Sequence, residues 1–224
     1  MHVKRRRALQ IVTWNVGRAS PELIGEILNQ VVRFFGSSVV VLLQEVQGWP
    51  EDPGTAGWSI RHKSGDYVAI AWPHTLALNS SFSHSSRHAM GTIFGSTCIA
   101  CCYLPCGKDV AEFSEALKEL ESVRTWAFTH GVSSFLFGGD LNTTLPTDLG
   151  RITGKRGLAA PMKEEGRRRQ DLLIDILDRW KLRLANTFGE PGAIQDIRTF
   201  SHLSQNTGSF LDFVAIPQAW GHRG

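Results

Sequence analysis

The residues best placed to do chemistry in this chain of 224 residues stand in Gly138-Gly139-Asp140-Leu141-Asn142. The apolar run Phe135–Phe137 stops at two glycines, then presents a carboxylate and an amide two residues apart. That pattern is a buried strand ending in a tight turn, with both polar groups delivered from one strand end. Gly, Asp and Asn are also ordinary turn residues, so a capped strand followed by a turn explains the stretch in isolation. Similar ends recur along the chain. Asn15 follows Ala8–Trp14, Glu45 closely follows Val39–Leu43, and Tyr103 lies near the end of Thr97–Leu104. Asp212 interrupts a fifth apolar run, Ser209–Ile216, where an unpaired carboxylate would be costly to bury. Taken alone, Asp212 is explained by a salt bridge or a cap.

The elements that would carry these groups alternate. Ala8–Trp14 reads as a strand, and Ser20-Pro21 opens a helix with Ser as N-cap and Pro at its first position. Apolar residues at 23, 24, 27, 28, 31 and 32 give that helix one buried face up to Phe35. Val39–Leu43 is a continuous apolar run, a strand covered on both faces. If the first two strands are parallel, a right-handed crossover sets Asn15 and Glu45 on the same sheet edge. Gln47–Ser59 reads as a loop, Tyr67–Trp72 as a strand that Leu76–Leu78 extends, and the serine-rich run from Asn79 to His88 as a loop. Met90–Phe94 and Thr97–Leu104 form a hairpin about Gly95-Ser96, and Val110–Thr129 is a helix. In the second half, Leu149–Gly166 is a polar loop and Asp171–Trp180 a helix. Leu182–Asn186, Arg198–His202 and Ser209–Ile216 are strands. Residues 1–7 form a basic tail, and residues 8–224 read as one domain.

Composition excludes several classes. The chain is 42% hydrophobic and 20% charged, as a globular protein is, and no run of eighteen apolar residues offers a membrane span. The apolar stretch after Lys4-Arg5-Arg6-Arg7 is too short for a signal-peptide core, so an intracellular protein is expected. Net charge is only +3, yet Lys4–Arg7 and Arg167–Arg169 hold seven of the 24 basic residues, and without them acidic residues would be in excess. Such concentration suits a phosphate-backbone partner, with Arg167, Arg168 and Arg169 as nucleic-acid contacts. A solvated tail and a polar helix start are the plain alternative. Lys4–Arg7 also reads as a nuclear localisation signal. Cys98, Cys101, Cys102 and Cys106 lie close in sequence, but on an extended segment Cys98 and Cys102 stand roughly 13 Å apart with Cys101 on the opposite face. Such an array cannot close a tetrahedral zinc site, and reduced core cysteines are expected.

Thr13-Trp14-Asn15, Leu43-Gln44-Glu45, Tyr103-Leu104-Pro105, Gly138-Gly139-Asp140-Leu141-Asn142 and Leu211-Asp212-Phe213-Val214 follow one another in the chain. In order and rough spacing they resemble the endonuclease/exonuclease/phosphatase superfamily, which includes DNase I-like nucleases and apurinic/apyrimidinic endonucleases. The match runs from Ala8 to Ile216. Thr199-Phe200-Ser201-His202 ahead of Ser209-Phe210-Leu211-Asp212-Phe213 looks most similar to the endonuclease domains of non-LTR retrotransposons. The resemblance implies an α/β fold, a four-layer α/β sandwich of two mixed β-sheets flanked by helices. It implies phosphodiester hydrolysis with Mg²⁺ or Mn²⁺, on DNA or, as a second polymer, RNA. By position, Glu45 is then the principal metal ligand with Asn15 beside it. Asp140 orients or deprotonates the attacking water, Asn142 holds a phosphate oxygen or the nucleophile, and Tyr103 contacts the scissile phosphate. Asp212 would orient a catalytic histidine.

Two departures from the family pattern stand out. Gly17 occupies a position where the family often carries a carboxylate or amide. The family's closing Ser-Asp-His motif, on a last strand well beyond the position of Asp212, has no counterpart before Gly224, and His222 has no strand around it. A truncated last strand and an exposed sheet edge are therefore expected. Three functions follow: a metal-dependent DNA endonuclease of retroelement type, a weakly active or inactive nucleic-acid-binding remnant, or a phosphatase of the same superfamily. The basic clusters favour nucleic acid over a small phosphoester.

Overall fold

The computed structural model describes residues 9–76, 80–107, 109–154, 163–188, 200–202, 207–209 and 211–222. The basic tail, Ala77, Leu78, Arg198 and Thr199 lie outside them. In chain order the elements are β1 (Gln10–Asn15), α1 (Pro21–Phe35), β2 (Val39–Gln44), β3 (Trp58–Arg61), β4 (Val68–Pro73) and β5 (Ser80–Ser85). Then come β6 (Ala89–Phe94), β7 (Thr97–Tyr103), α2 (Val110–Thr129), β8 (Ser134–Asp140) and α3 (Glu164–Arg179). The remainder are β9 (Leu182–Leu184), β10 (Phe200–His202), β11 (Thr207–Ser209) and β12 (Asp212–Pro217).

One sheet has the order β1-β2-β4-β3, the other β5-β6-β7-β8-β12-β9, and β10 pairs with β11. Each large sheet is mixed, with one parallel pair, β1 with β2 and β7 with β8. Alternation along the strands builds three apolar layers. Val39, Val41 and Leu43 pack under α1, against Ile24, Leu28 and Val31. Val40 and Leu42 face the other way, toward Ile99, Cys101 and Leu136 of the second sheet. Cys98, Ala100, Phe135 and Phe137 then face α2 and α3. The result is the expected four-layer sandwich, helix on sheet on sheet on helix, because strands apolar on both faces must be covered twice. Cys98 and Cys102 fall in the outer layer, Cys101 between the sheets, and burial pushes the thiols of Cys98 and Cys101 up to about 12. They are core residues, as expected.

The crossover through α1 makes β1 and β2 parallel neighbours, with Asn15 opposite Gln44. Ser20 Oγ accepts from the Leu23 N–H at the start of α1, and Pro21 occupies its first position. Several boundaries differ from the sequence reading. Trp58 and Ser59 begin β3 rather than ending a loop, because the Trp58 ring is buried and its indole donates to Asn29 of α1 at 3.3 Å. The serine-rich run is strand β5, whose polar composition suits the edge it forms beside β6. Helix α3 starts at Glu164 rather than Asp171, so the end of the expected loop and Arg167–Arg169 lie inside it. Strand β9 stops at Leu184 in a 3-10 turn, Ala185–Thr187, where Thr187 Oγ1 donates to the Leu184 carbonyl. Strand β12 begins at Asp212, so that carboxylate opens a strand instead of interrupting one. Among the described residues no helix is long and apolar enough to cross a membrane.

Candidate active site

Three strand ends meet where the two sheets face each other. Asn15 closes β1, Glu45 follows β2 with φ 62°, and Asp140 closes β8. A single amide group joins them. Asn15 Nδ2 donates to Glu45 Oε1 at 3.0 Å and to Asp140 Oδ2 at 3.0 Å, across 30 and 125 residues of chain. The Asn15 side chain is aimed by its own loop, since Gly17 N–H donates to Asn15 Oδ1 at 3.0 Å. Gly17 has φ 56°, the left-handed conformation that brings its N–H back, so the family departure at this position serves to orient Asn15. Gln44, fully buried, carries the neighbouring bond: Thr13 Oγ1 donates to Gln44 Oε1 at 3.3 Å, tying β1 to β2 just before both ends.

Asp140 is buried and doubly held. Its Oδ1 accepts from the Asn142 backbone N–H at 3.0 Å, and Asn142 Nδ2 donates to the Leu104 carbonyl at 2.9 Å. Asn142 has φ 42°, so the turn after β8 places its amide back over β7. Burial raises the Asp140 carboxyl above the ordinary carboxylate value. The hydrogen bonds from Asn15 and the Asn142 backbone oppose this rise, and the Glu45 charge adds to it. Gly139 makes the strand end possible: a Cβ there would lie 1.8 Å from the Cys102 carbonyl oxygen of β7.

Tyr103 stands opposite Asp140 in the parallel β7–β8 register. Burial, then the charges of Cys106, Glu45 and Asp140, push its phenol above the ordinary value, so it stays a neutral hydrogen-bond donor. Its ring stacks on Tyr67 with centroids 5.3 Å apart, and Tyr67 stacks on His88 at 5.2 Å. Glu119 of α2 secures the far end, accepting from the His88 N–H at 2.7 Å and meeting His88 Nδ1 at 3.2 Å. Arg87 Nη2 donates to the Tyr67 hydroxyl at 2.8 Å. Sequence reasoning did not find this stack. No local signal marks it, because Glu119 is 31 residues away on a helix.

Of the other expected site residues, Asp212 lies directly opposite Asp140 in the antiparallel β8–β12 register. Its backbone is pinned by Asn186, whose Nδ2 donates to the Asp212 carbonyl at 2.8 Å. Arg167 and Arg168 are exposed, whereas Arg169 turns inward and lines a cavity with Asn142. Consecutive helical residues point about 100° apart, so three in a row cannot face one site. The carboxylates of Glu45 and Asp140 are a hard oxygen set suited to Mg²⁺ or Mn²⁺ and not to a thiolate-seeking ion, while the Asn15 amide turns its nitrogen to them and its Oδ1 to the Gly17 N–H. Two carboxylates sharing one amide hydrogen-bond donor is an arrangement that a cation would relieve. Glu45 would hold it through its carboxylate, and Asn15 through Oδ1, which requires the amide to turn over. No group of three or more His, Cys, Asp or Glu residues that could cage a metal occurs among the described residues.

The endonuclease domain of TRAS1, a telomere-specific non-LTR retrotransposon, has a similar fold, with TM-score 0.60 and 15% identity over 95% of this chain and 86% of that one. So does the 3′ phosphatase NExo from Neisseria bound to a product DNA hairpin, with TM-score 0.62 and 17% identity over 95% and 88%. The AP endonuclease LMAP from Leishmania major gives 0.58 and 15% over 93% and 79%. No curated protein sequence matches significantly. The fold is therefore that of the DNase I-like proteins. Residues 12–223, which contain every strand end described above, match the family described as Endonuclease/Exonuclease/phosphatase. The chain belongs to that family, whose members are metal-dependent phosphoester hydrolases.

Proposed function

We propose that this chain is a divalent-metal-dependent endonuclease that nicks DNA at the junction of Asn15, Glu45, Tyr103, Asp140 and Asn142. One observation carries the reading: a single Asn15 amide holds Glu45 and Asp140 together. When bound, Mg²⁺ or Mn²⁺ would lower the pKa of a water and offset charge growing on the phosphate. Glu45 would hold it by its carboxylate and Asn15, once its amide turns over, by Oδ1. Asp140, its carboxyl raised by burial and fixed through both oxygens, is the base that orients the attacking water and takes its proton. Asn142, whose amide is bonded to the Leu104 carbonyl and lies within reach of Asp140, would turn its second amide hydrogen to a phosphate oxygen. Tyr103, neutral and braced by Tyr67 and His88, donates to the same phosphate. Asp212, opposite Asp140, orients what approaches from that side.

Concentrated basic residues favour a polymer over a small phosphoester. DNA is the first polymer to test and RNA the second. Residues 8–224 act as one domain in this reading, and Lys4–Arg7 as a basic tail with a nuclear address. Hydrolysis of a terminal phosphomonoester is the second reading, favoured by the likeness to NExo, which is named a 3′ phosphatase. A plasmid-nicking assay in Mg²⁺ tests the proposal. The unsubstituted chain converts supercoiled to open-circular DNA, and Glu45→Ala and Asp140→Asn each slow this by about 10²- to 10³-fold. Nicking that neither substitution alters would remove this site from the reaction. Salt-sensitive DNA binding without nicking would point instead to a binding protein.

A further inference from the structure

A cavity of about 360 Å³ opens beside Asn142, and the chemistry above leaves it unused. Its lining includes Asn142, Thr143, Lys163, Glu165, Arg169 and Leu211. Thr143 is only 3% exposed, and its Oγ1 is buried with no hydrogen-bond partner among the described residues. Arg169 Nε is also buried without a partner among them, and its Nη1 donates to the Pro105 carbonyl at 3.4 Å. The Phe113 ring, centred 5.7 Å from the guanidinium carbon, backs Arg169 against the cavity wall. Helix α3 begins here; Lys163 at its N-cap makes no side-chain cap bond, and Glu164 and Glu165 stand in its first turn. Two cations outnumber the single carboxylate of Glu165. Buried donors without acceptors are costly, and together with a helix N-terminus they are complementary to an anion.

We infer that this cavity binds the phosphate next to the scissile one, so that the substrate is gripped through two consecutive phosphates. The inference rests on the phosphodiesterase reading, because the cavity shares Asn142 with the reacting site. Thr143 Oγ1, the Arg169 guanidinium and the first-turn amides of α3 are its ligands. The substrate class is then a polynucleotide with a charged linkage on the Asn142 side, and a lone phosphodiester fills only half of the site. Arg169 acts as a binding residue and takes no part in bond breaking.

The cavity supplies its own reporter. Cys106 is exposed and lines it, while the other three cysteines are buried. Alkylation of Cys106 by iodoacetamide, followed by mass spectrometry in EDTA so that nothing is cleaved, reads occupancy directly. A DNA oligonucleotide with unphosphorylated ends is expected to slow alkylation about tenfold in the unsubstituted chain. At the same concentration it should slow it only about twofold in Arg169→Gln, and to an intermediate degree in Thr143→Val. In anisotropy titrations Arg169→Gln should weaken binding about tenfold and lower the salt slope by about one, with Thr143→Val leaving the slope unchanged. No protection, or equal protection in all three proteins, would overturn the inference. So would protection by a nucleoside monophosphate alone, which would assign the cavity to a terminal phosphate. Protection by the oligonucleotide together with nicking indifferent to Glu45→Ala and Asp140→Asn would sink the proposed reaction and leave the subsite standing.

Discussion

Asn15 illustrates how little sequence is needed to place a site and how much structure is needed to connect it. Its amide is the one group that touches both Glu45 and Asp140, and Gly17 turns it to do so. Gly139 plays the complementary role on the second sheet. A methyl group there would sit within bonding distance of the Cys102 carbonyl, a position that nothing but a strand shift relieves. Gly139→Ala is therefore expected to destabilise the protein by about 3 kcal/mol or more, measured by denaturant unfolding. An alanine variant as stable as the parent would show that β7 and β8 separate easily at the site.

At the scale of elements, the turn before β6 and helix α2 are joined by His88 and Glu119, and through the aromatic stack they brace Tyr103 at the end of β7. Burial alone would raise the Glu119 carboxyl. The hydrogen bonds from the His88 ring and backbone outweigh it and leave that carboxyl below its ordinary value. A carboxyl lowered on folding adds stability that is present above the unfolded carboxylate range and is lost as pH falls through the folded value. Glu119→Gln should thus lower stability by about 1 kcal/mol at pH 7 and flatten the acid limb of a melting-temperature profile. An acid limb identical in both proteins would mean that the pair does not couple to folding. The same variant should slow nicking modestly, because Tyr103 loses the far support of its stack.

At the scale of the whole molecule, two sheets converge so that the Glu45 carboxylate from the first and the Asp140 carboxylate from the second lie on one amide. A cation at that junction would neutralise charge contributed by both halves, and would bind the folded chain alone. Mg²⁺ at about one hundred times its dissociation constant should add about 2.7 kcal/mol of stability, seen as a higher melting temperature that EDTA reverses. Glu45→Gln should abolish most of that shift. EDTA should stop hydrolysis while leaving the fold intact, since the three apolar layers do not depend on the ion. A circular-dichroism spectrum lost in EDTA would contradict this.

The sequence by itself determined the layers and the list of polar strand ends. Periodicity is local: Val39–Leu43 had to be covered on both faces, α1 had to bury one, and Asn15, Glu45, Tyr103 and Asp140 each sat where an apolar run stopped. Family membership followed from their order, and residues 12–223 bear it out. Only the tertiary structure decided which of these groups meet. Asn15 and Asp140 are 125 residues apart, and their contact depends on how two sheets stack. The registers that set Tyr103 and Asp212 opposite Asp140 are fixed by packing across strands. Edge strand β5 was unreadable because an edge tolerates polar residues on a strand, and its run of serines looks like a loop. Arg169 could not be told from Arg167 and Arg168 by composition. The roll of α3 on Phe113 selected it, and that roll comes from side-chain packing between helices distant in sequence.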